Sequence, residues 1–327
     1  MTIIKEYVLG VDGGGTKTLC ALYDTEGNQV DQLIWGPTNH EVLADGFQSL
    51  KVELTDMTAC LLQRNSLEPG RLVKSVFGMA GVDTKKQHAI ISKMLEEIGY
   101  CSFELCNDAY LGIKAGSKTG WGIGVVHGTG LCVAGIDQRG NRIQIGGQGM
   151  LTGDIGGGTH VGEKCIQAIY NYYFRCKEYT CMVELLPDEL KGVSKYDFIE
   201  QVISLIDEGR IQYSDLNRIV FRAANLGDKI ALEILEELGS CIADSINGCI
   251  REIQFEAEVP IQIILSGSVN IKAENDTIVK TLVKKVTSQS RDCRIEFRML
   301  DKQPVVGAVM WALEEYLSRS RMNQLFF

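Results

Sequence analysis

A glycine-rich segment near the start of the chain has the residue types of a phosphate-binding turn. A strand pattern over 7–11 runs into Asp12 and three consecutive glycines, and a second strand pattern follows. Glycine lets the backbone turn tightly and leaves N–H groups open to phosphate oxygens. The spacing differs from that of a Walker loop, after which a helix would begin. We expect these residues to bind phosphate: Gly13, Gly14, Gly15, Thr16 and Lys17.

Asp12 ends the first strand beside this turn, where a carboxylate could hold Mg²⁺ through water. Taken alone, the glycines would fit a simple hairpin turn equally well. A second turn of the same kind favours the functional interpretation. It lies after another strand, and we expect it to contact the phosphates from the opposite side through Gly128, Thr129 and Gly130. We interpret the neighbouring His127 as a turn residue rather than a base.

A third candidate is Asp108, which lies between a short strand and the start of a helix pattern. An aspartate at this place is commonly an N-cap, and that alternative stays open. Because Asp108 comes just before the predicted crossing between two domains, its carboxylate could also take a proton from an attacking hydroxyl. Late in the chain, Gly267 and Ser268 follow an apolar strand. Such a turn lets an adenine or ribose lie against the backbone, or it simply ends the strand.

The chain contains an internal duplication. An Asp-x-x-Gly-Asn turn occurs at 24–28 and again at 137–141, and the same alignment places Gly15-Thr16 on Gly128-Thr129. Each copy is predicted to form a strand, a glycine turn, a second strand, the Asp-x-x-Gly-Asn turn and a third strand. A repeat of this kind fixes the architecture more firmly than local propensity does. We therefore predict two related sheets whose glycine turns face each other.

The remaining pattern predicts α/β domains. The strands are predicted at 7–11, 19–23, 73–78 and 102–105 in the first half, and at 122–126, 131–136, 261–265 and 295–299 in the second. Apolar residues recur at helical spacing between them, beginning with Leu43, Phe47 and Leu50. Glycines near 115–121 indicate a boundary. We predict one domain over 1–116, joined by a closing helix near 304–327, and another over 117–303.

Composition excludes several classes. The chain has 327 residues, a formal charge of −9 and a pI near 5.1, which argues against nucleic acid as a partner. Lys5 and Glu6 interrupt the apolar start, and no apolar run reaches the roughly 18 residues of a membrane span, so a cytoplasmic protein without membrane contact is expected. Its eleven cysteines are interpreted mainly as reduced, buried thiols.

With these motifs in order, the chain resembles the acetate and sugar kinase, heat-shock chaperone and actin superfamily over its whole length. It is most similar to the N-acetylglucosamine kinase branch of the BadF/BadG/BcrA/BcrD ATPase family. The segments that carry this resemblance are Thr38-Asn39-His40, Gly78-Met79-Ala80-Gly81, Asn107-Asp108-Ala109, Gly146-Gly147-Gln148-Gly149 and Gly153-Asp154.

The resemblance implies duplicated actin-like, ribonuclease H-like ATPase domains with a nucleotide cleft between them. It also implies phosphotransfer from ATP, with Mg²⁺, to the C6 hydroxyl of an N-acetylated amino sugar, with Asp108 as the base. The residues implied to bind the sugar are Asn39, His40, Asp108, Gly147, Gln148 and Asp154. For Asn39 a helix-capping turn and for Asp154 an Asx turn remain alternatives. A homodimer is also implied.

The chain departs from the kinase pattern in the expected sugar pocket. Leu131 and Cys132 stand where such kinases typically carry Ser and Asn, Gln148 stands for a tryptophan, and Ile155 stands for a glutamate. They bear on which sugar is bound, and two alternatives to a kinase also stay open. One is an ATPase activator that couples hydrolysis to electron transfer into an acyl-CoA dehydratase through an iron–sulfur cluster at a dimer interface. The other is a regulator that uses the nucleotide as a conformational switch.

Overall fold

The computed structural model describes residues 5–128, 130–155, 157–175, 177–256, 258–267 and 275–326. They form two five-stranded sheets. The strands of the first sheet are β1 Tyr7–Gly13, β2 Thr18–Asp24, β3 Gln29–Trp35, β4 Leu72–Met79 and β5 Phe103–Cys106. Those of the second are β6 Gly122–His127, β7 Leu131–Ile136, β8 Arg142–Gly146, β9 Ile261–Ser266 and β10 Ile295–Met299.

The second sheet repeats the topology of the first. The strand orders are β3-β2-β1-β4-β5 and, from the corresponding edge, β8-β7-β6-β9-β10. In each sheet three consecutive strands pair antiparallel, and the first of them pairs parallel with a strand that returns through helices. The duplication predicted from the two Asp-x-x-Gly-Asn turns is therefore present in the strand topology.

The repeated turns themselves have the same hydrogen bonds. Asp24 Oδ1 accepts the backbone N–H of Asn28 at 2.8 Å, and Asp137 Oδ1 accepts that of Asn141 at 2.7 Å. Each asparagine also donates its side-chain amide to the other carboxylate oxygen of its aspartate. A glycine with positive φ completes both turns, at Gly27 and Gly140. An Asp, a Gly and an Asn at this spacing thus close the hairpin by themselves.

The two glycine turns differ in length. In the first sheet Gly13 pairs with Thr18, so that four residues form the turn. In the second sheet His127 pairs with Leu131, so that three do. The alignment of Gly15-Thr16 with Gly128-Thr129 therefore holds for the sequence, while the second turn is one residue shorter.

Helices connect and cover the sheets. Those of the first half are α1 Phe47–Arg64, α2 Lys85–Ile98 and α3 Ala109–Gly116. The second half contributes α4 Gly158–Phe174, α5 Phe198–Asp207, α6 Tyr213–Asn225, α7 Lys229–Glu252, α8 Thr277–Gln289 and α9 Pro304–Phe326. The first helical pattern was expected to include Leu43, which instead lies in a turn before α1. The closing helix, predicted near 304–327, spans Pro304–Phe326.

Helices α3 and α9 pack together between the two sheets, and glycines allow the close approach. A Cβ at Gly307 of α9 would collide with the backbone of Leu111 in α3. At Gly10 of β1 it would lie 2.8 Å from a side-chain carbon of Val309 in α9. At Gly124 of β6 it would meet the backbone of Ala109 in α3. The apolar cluster around these contacts contains residues of both sheets, so α3 and α9 form the shared core of the molecule.

Cysteine burial agrees with the interpretation of most thiols as small apolar side chains. Cys20, Cys132 and Cys249 are buried, whereas Cys241 is partly exposed. Within the described ranges, no helix is long and apolar enough to cross a membrane.

Candidate functional site

The glycine turn after β1 lies at the carboxyl edge of the first sheet, held by the segments around it. The N–H of Ala80 donates to the carbonyl of Gly13 at 2.8 Å, and the N–H of Thr38 donates to that of Gly14 at 3.1 Å. A Cβ at Gly13 would lie 2.5 Å from Thr38 Oγ1. The tip of the turn, from Gly15 through Lys17, is exposed. The base of the turn is therefore fixed while its tip is open to a ligand.

Asp12 is the last-but-one residue of β1 and lies directly before this turn. Burial raises the pKa of its carboxyl to about 6, and the positive charge of Lys17 opposes that shift. A cation near this group would favour the ionised form. Among the described residues, no group of three or more His, Cys, Asp and Glu side chains is arranged to hold a metal.

The second turn lies at the carboxyl edge of the second sheet. The N–H of Gly158, the first residue of α4, donates to the carbonyl of Gly128 at 2.8 Å. A Cβ at Gly128 or Gly130 would meet no atom within 4 Å, so the turn borders open space. Gly267, with φ of +91°, packs directly on the backbone of His127, where any side chain would collide. Thr129 and Ser268 lie outside the described residues.

Asp108 occupies the N-cap position of α3 but makes no side-chain capping bond. Asn107 takes that role, since its Oδ1 accepts the N–H of Ala109 at 2.9 Å. The N-cap alternative for Asp108 is therefore wrong in this structure. The pKa of the Asp108 carboxyl is raised to about 7, chiefly by burial and also by the negative charges of Asp12 and Asp83, while interactions with the backbone N–H groups of Asp108 and Ala109 oppose the shift. A carboxylate with a pKa near neutrality suits proton transfer.

Asp83 is a further carboxylate of this site. The sequence motif at 78–81 ends two residues before it. Its Oδ1 accepts hydrogen bonds from Asn107 Nδ2 at 2.9 Å and from Gln144 Nε2 at 2.5 Å. The pKa of Asp83 is raised to about 6: burial is the main cause, the charges of Glu41 and Asp154 act in the same direction, and the two amide donors oppose the shift. Since Asn107 follows β5 and Gln144 lies in β8, this carboxylate connects the two sheets.

The predicted sugar-binding residues of the first half lie next to this group. Asn39 is buried, its Oδ1 accepts the N–H of Glu41 at 2.9 Å, and a Cβ at Gly81 would collide with it. The Asx turn shows that Asn39 shapes the loop. His40 stacks on Phe47 with ring centroids 4.0 Å apart, and its Nδ1 is buried without a hydrogen-bond partner in the described structure.

Gly147, Gln148 and Asp154 are brought together in the loop after β8. Asp154 Oδ2 accepts the N–H of Gln148 at 3.0 Å and the hydroxyl of Thr152 at 2.5 Å, so the Asp154 carboxylate ties together the loop that precedes it. Gly147, with φ of +94°, packs so closely on Asp83 that a Cβ would lie 2.6 Å from Asp83 Oδ1. The Nε2 of Gln148 is buried and finds no hydrogen-bond partner among the described residues.

Cys132 lies where the two halves of the site meet. It pairs with Gly146 in the ladder between β7 and β8 and is buried. Burial raises the pKa of its thiol well above the usual value, and the negative charges of Asp108, Asp83 and Asp154 raise it further. The thiol is therefore neutral, a weakly hydrogen-bonding group beside three carboxylates.

The sequence interpretation missed Asp83 and Gln144. A usable signal existed for Asp83, because Thr84 and Gln87 already form the capping box of α2, so an aspartate just before them is not needed for the cap. Gln144 gave no signal: an amide on an edge strand is ordinary, and its partner is 61 residues away in the chain.

Comparison with solved structures defines the class of the fold. A candidate N-acetylglucosamine kinase from Chromobacterium violaceum superposes with a TM-score of 0.66 at 18% identity, over 94% of this chain and 99% of the other. At that identity the likeness concerns the fold alone, two actin-like domains with related mixed sheets. The predicted fold class is thereby confirmed.

The family model of the BadF/BadG/BcrA/BcrD ATPases matches residues 9–312, and the chain belongs to that family. Among curated proteins it is similar to the N-acetyl-D-glucosamine kinase of Dictyostelium discoideum, with 24% identity over 94% of this chain and 98% of the relative. It is also similar to the N-acetylmuramic acid/N-acetylglucosamine kinase of Clostridium acetobutylicum, with 26% identity over 81% of this chain and 86% of that relative.

Proposed function

We propose that this protein is an ATP-dependent sugar kinase that phosphorylates the C6 hydroxyl of an N-acetylated amino sugar. The observation that carries the proposal is the Asp108 carboxyl, which is left uncapped at the start of α3 and has its pKa raised to about 7. The names of the relatives support the same reaction class and the same group of sugars. The C6 position rests on the family resemblance and requires its own test.

The residues of the two glycine turns fit a nucleotide. The exposed tip Gly15–Lys17 and the open space beside Gly128 and Gly130 offer backbone and one lysine to phosphate oxygens. Gly267 would let the adenosine approach the backbone next to β6. When bound, ATP supplies the phosphoryl group and Mg²⁺ neutralises part of its charge. We propose Asp12 as the group that holds Mg²⁺ through water, and Thr16, Thr129 and Ser268 as further nucleotide contacts.

Asp108 would act as the general base. Its carboxylate accepts the proton of the sugar hydroxyl while the hydroxyl oxygen forms its bond to phosphorus and ADP leaves. Burial holds the pKa of Asp108 close to neutral pH, which gives it a stronger affinity for that proton than an exposed aspartate has. Phosphoryl transfer otherwise depends on positioning and charge neutralisation, which the turns at the two sheet edges would provide.

The acceptor side has unsatisfied polar groups that a sugar could satisfy. His40 Nδ1 and Gln148 Nε2 are both buried without a hydrogen-bond partner in the described residues. Buried polar atoms in folded proteins nearly always have one, so a polyhydroxylated ligand would remove a cost at both places. Asn39, Gly147 and Asp154 would complete the proposed sugar site. These three residues also hold the loops around the proposed sugar site in shape.

The test is a coupled assay of ADP release across a panel of free sugars: N-acetylglucosamine, N-acetylmuramic acid, glucosamine, glucose and the 6-deoxy form of N-acetylglucosamine. We expect an N-acetylated sugar to raise turnover far above basal hydrolysis and the 6-deoxy sugar to have no effect. Asp108→Asn should abolish the sugar-dependent rate, because an amide cannot take the proton. If no sugar raises turnover, the kinase proposal fails; a product phosphorylated elsewhere would overturn only the C6 assignment.

Two further assignments are proposals of the same standing. We propose a division into one domain of residues 1–116 with the closing helix at about 304–327, and a second of residues 117–303. We also propose a homodimer on the family resemblance. Light scattering on the purified protein measures the oligomeric state directly.

A further inference from the structure

A single chain of side-chain hydrogen bonds connects the second sheet to the first turn of α3. Gln144 Nε2 donates to Asp83 Oδ1 at 2.5 Å, and Asn107 Nδ2 donates to the same oxygen at 2.9 Å. Asn107 Oδ1 then accepts the N–H of Ala109 at 2.9 Å. Asp108 lies between Asn107 and Ala109 in the chain, so the two residues that flank the proposed base are the ones held by this connection.

The connection fixes which way the Asn107 amide points. Its oxygen caps α3 and its nitrogen donates to Asp83, so a flip of the amide would set donor against donor and acceptor against acceptor. Asn107 is buried, and so the cost of such a mismatch is not relieved by water. Asp83 thus keeps the amide oxygen of Asn107 on the helix.

The Asn107 cap matters because Asp108 is its natural competitor. Asp108 occupies the N-cap position of α3, and aspartate is among the residues that cap helices best. The side chain of Asn107 holds the N–H of Ala109, whereas those of Tyr110 and Leu111 donate to the backbone carbonyls of Asn107 and Asp108. If Asn107 gave up the N–H of Ala109, the Asp108 carboxylate could rotate and take it over. A carboxylate bonded to its own helix points away from a substrate and has a lowered pKa, so it would be a poorer base.

We propose that Asp83 is a positioning residue, which holds Asp108 free of its helix through Asn107 and does so fully only when Gln144 of the second sheet is docked on it. Alignment of the base is thereby tied to the relative position of the two sheets. This inference rests on the proposed kinase function for its catalytic meaning. The structural connection itself can be measured without any substrate.

A second contact between the sheets serves as the control. Arg142, two residues before Gln144 on β8, forms an ion pair with Glu104 of β5 and stacks on Trp311 with its guanidinium 4.5 Å from the ring. It joins β8 to β5 and lies 6.0 Å from the ring of Tyr110 in α3, but it takes no part in the hydrogen bonds through Asn107. Glu104→Gln therefore removes an ion pair between the sheets without breaking the proposed connection.

The experiment compares Asp83→Ala, Asp83→Asn, Gln144→Ala, the double variant Asp83→Ala/Gln144→Ala and Glu104→Gln in the full-length protein. Asparagine keeps the Oδ1 acceptor for both amides but not the charge. We expect Asp83→Ala to lower kcat on the order of 10²-fold with the KM for ATP unchanged, since misplacement of a reacting group by about 1 Å has that effect. Asp83→Asn should lose no more than about threefold, and the double variant should be no slower than Asp83→Ala, because both residues act through one connection.

Amide hydrogen exchange at Ala109–Leu111 provides the readout that does not depend on turnover. It should accelerate in Asp83→Ala, stay near the wild-type rate in Asp83→Asn, and remain unchanged in Glu104→Gln. Equal loss of kcat in Asp83→Asn and Asp83→Ala would overturn the positioning role, because charge rather than geometry would then be required. Unchanged exchange in Asp83→Ala would overturn the connection. A wild type without sugar-dependent turnover would defeat the proposed function and leave the exchange result standing.

Discussion

Asn107 caps helix α3 in place of Asp108, its neighbour in the N-cap position: the amide oxygen of Asn107 accepts the N–H of Ala109 at 2.9 Å, while the Asp108 carboxylate makes no capping bond. Because Asn107 accepts this N–H, the Asp108 carboxylate at the start of the helix does not have to, and it stays available for other partners. Several measurable consequences depend on it.

Replacement of Asn107 should reduce activity far more than stability. In Asn107→Ala the first turn of α3 loses its cap, and Asp108 is placed to supply a new one. We expect the free energy of unfolding to fall by about 1–3 kcal/mol, because Asp83 loses one of its two amide donors in a buried place while Asp108 can take over the cap, together with a large fall in kcat. Urea denaturation and the coupled kinase assay measure the two effects.

The matched control for that variant is Asp228→Ala, which removes the side-chain cap of α7 at Ala231 and also a hydrogen bond from the N–H of Cys181. It should likewise cost about 1–3 kcal/mol of stability and leave kcat unchanged. Equal activity loss in both variants would mean that any weakened helix start impairs turnover, contrary to the competition between Asn107 and Asp108.

Replacement of Asp108 should stabilise the protein more at high pH than at low pH. The pKa of Asp108 is raised to about 7 by burial and by the charges of Asp12 and Asp83, whereas it is about 3.8 when unperturbed. The folded state therefore binds more protons between these values, and wild-type stability falls as pH rises through that window. Asp108→Asn lacks this cost. Its Tm should exceed that of the wild type by a larger margin at pH 8 than at pH 5.

Asp24→Asn should change the Tm in the opposite direction to Asp108→Asn. Hydrogen bonds from Asn28 lower the pKa of Asp24, so its ionised form stabilises the folded state above its unfolded pKa. That variant should melt below the wild type at neutral pH, and the difference should shrink as pH falls through the lowered pKa. A Tm difference for Asp108→Asn that is constant with pH would contradict the raised pKa.

The rate of the proposed reaction should rise with pH across neutrality. A base must be deprotonated to work, so kcat/KM for the sugar should fall roughly tenfold for each pH unit below the pKa of Asp108, near 7. The pKa values of Asp12 and Asp83 are also raised to about 6, so these two carboxyls titrate together with Asp108. The falling part of the pH profile, its acidic limb, therefore reflects all three carboxyls. Asp83→Asn removes one negative neighbour and should move the limb to lower pH. An unchanged apparent pKa in this variant would show that the charge of Asp83 does not affect the pKa of Asp108.

Close packing of the two central helices makes Gly307 sensitive to any side chain. A Cβ there would collide with the backbone of Leu111 in α3. We expect Gly307→Ala to lower the free energy of unfolding by about 1–3 kcal/mol, the usual cost of overpacking. Gly70→Ala is the control, because a Cβ at that glycine would meet no atom within 4 Å. Similar midpoints in denaturant for both variants would contradict the tight crossing of α3 and α9.

The sequence predicted the architecture because its signals are local and repeated. The Asp-x-x-Gly-Asn turns close through bonds within five residues, and the strands around them alternate or run apolar as hairpins require. Each copy supports the other, so two sheets could be placed without any tertiary information. The strand bounds differed by one or two residues at most, for instance Tyr7–Gly13 against the predicted 7–11.

The site was predictable only where it follows the strands. Asp12, Gly13 and Asp108 lie at or just after strand ends, which topology brings to one edge. The contact of Asp83 with Gln144 depends on how the two sheets approach each other, and neither residue carries a local signature of that approach. The capping state of Asp108 was equally hidden, because it is decided by a competition with Asn107 that propensity alone does not resolve.

The closing helix α9 also has a consequence for biosynthesis. It packs against β1 through Val305 and Val309 and against α3 through Gly307, so the first sheet keeps an apolar face uncovered until residues beyond 304 have left the ribosome. The first sheet is thus completed by a helix that is translated after the whole of the second sheet, and its apolar face stays open to solvent or to other chains until then.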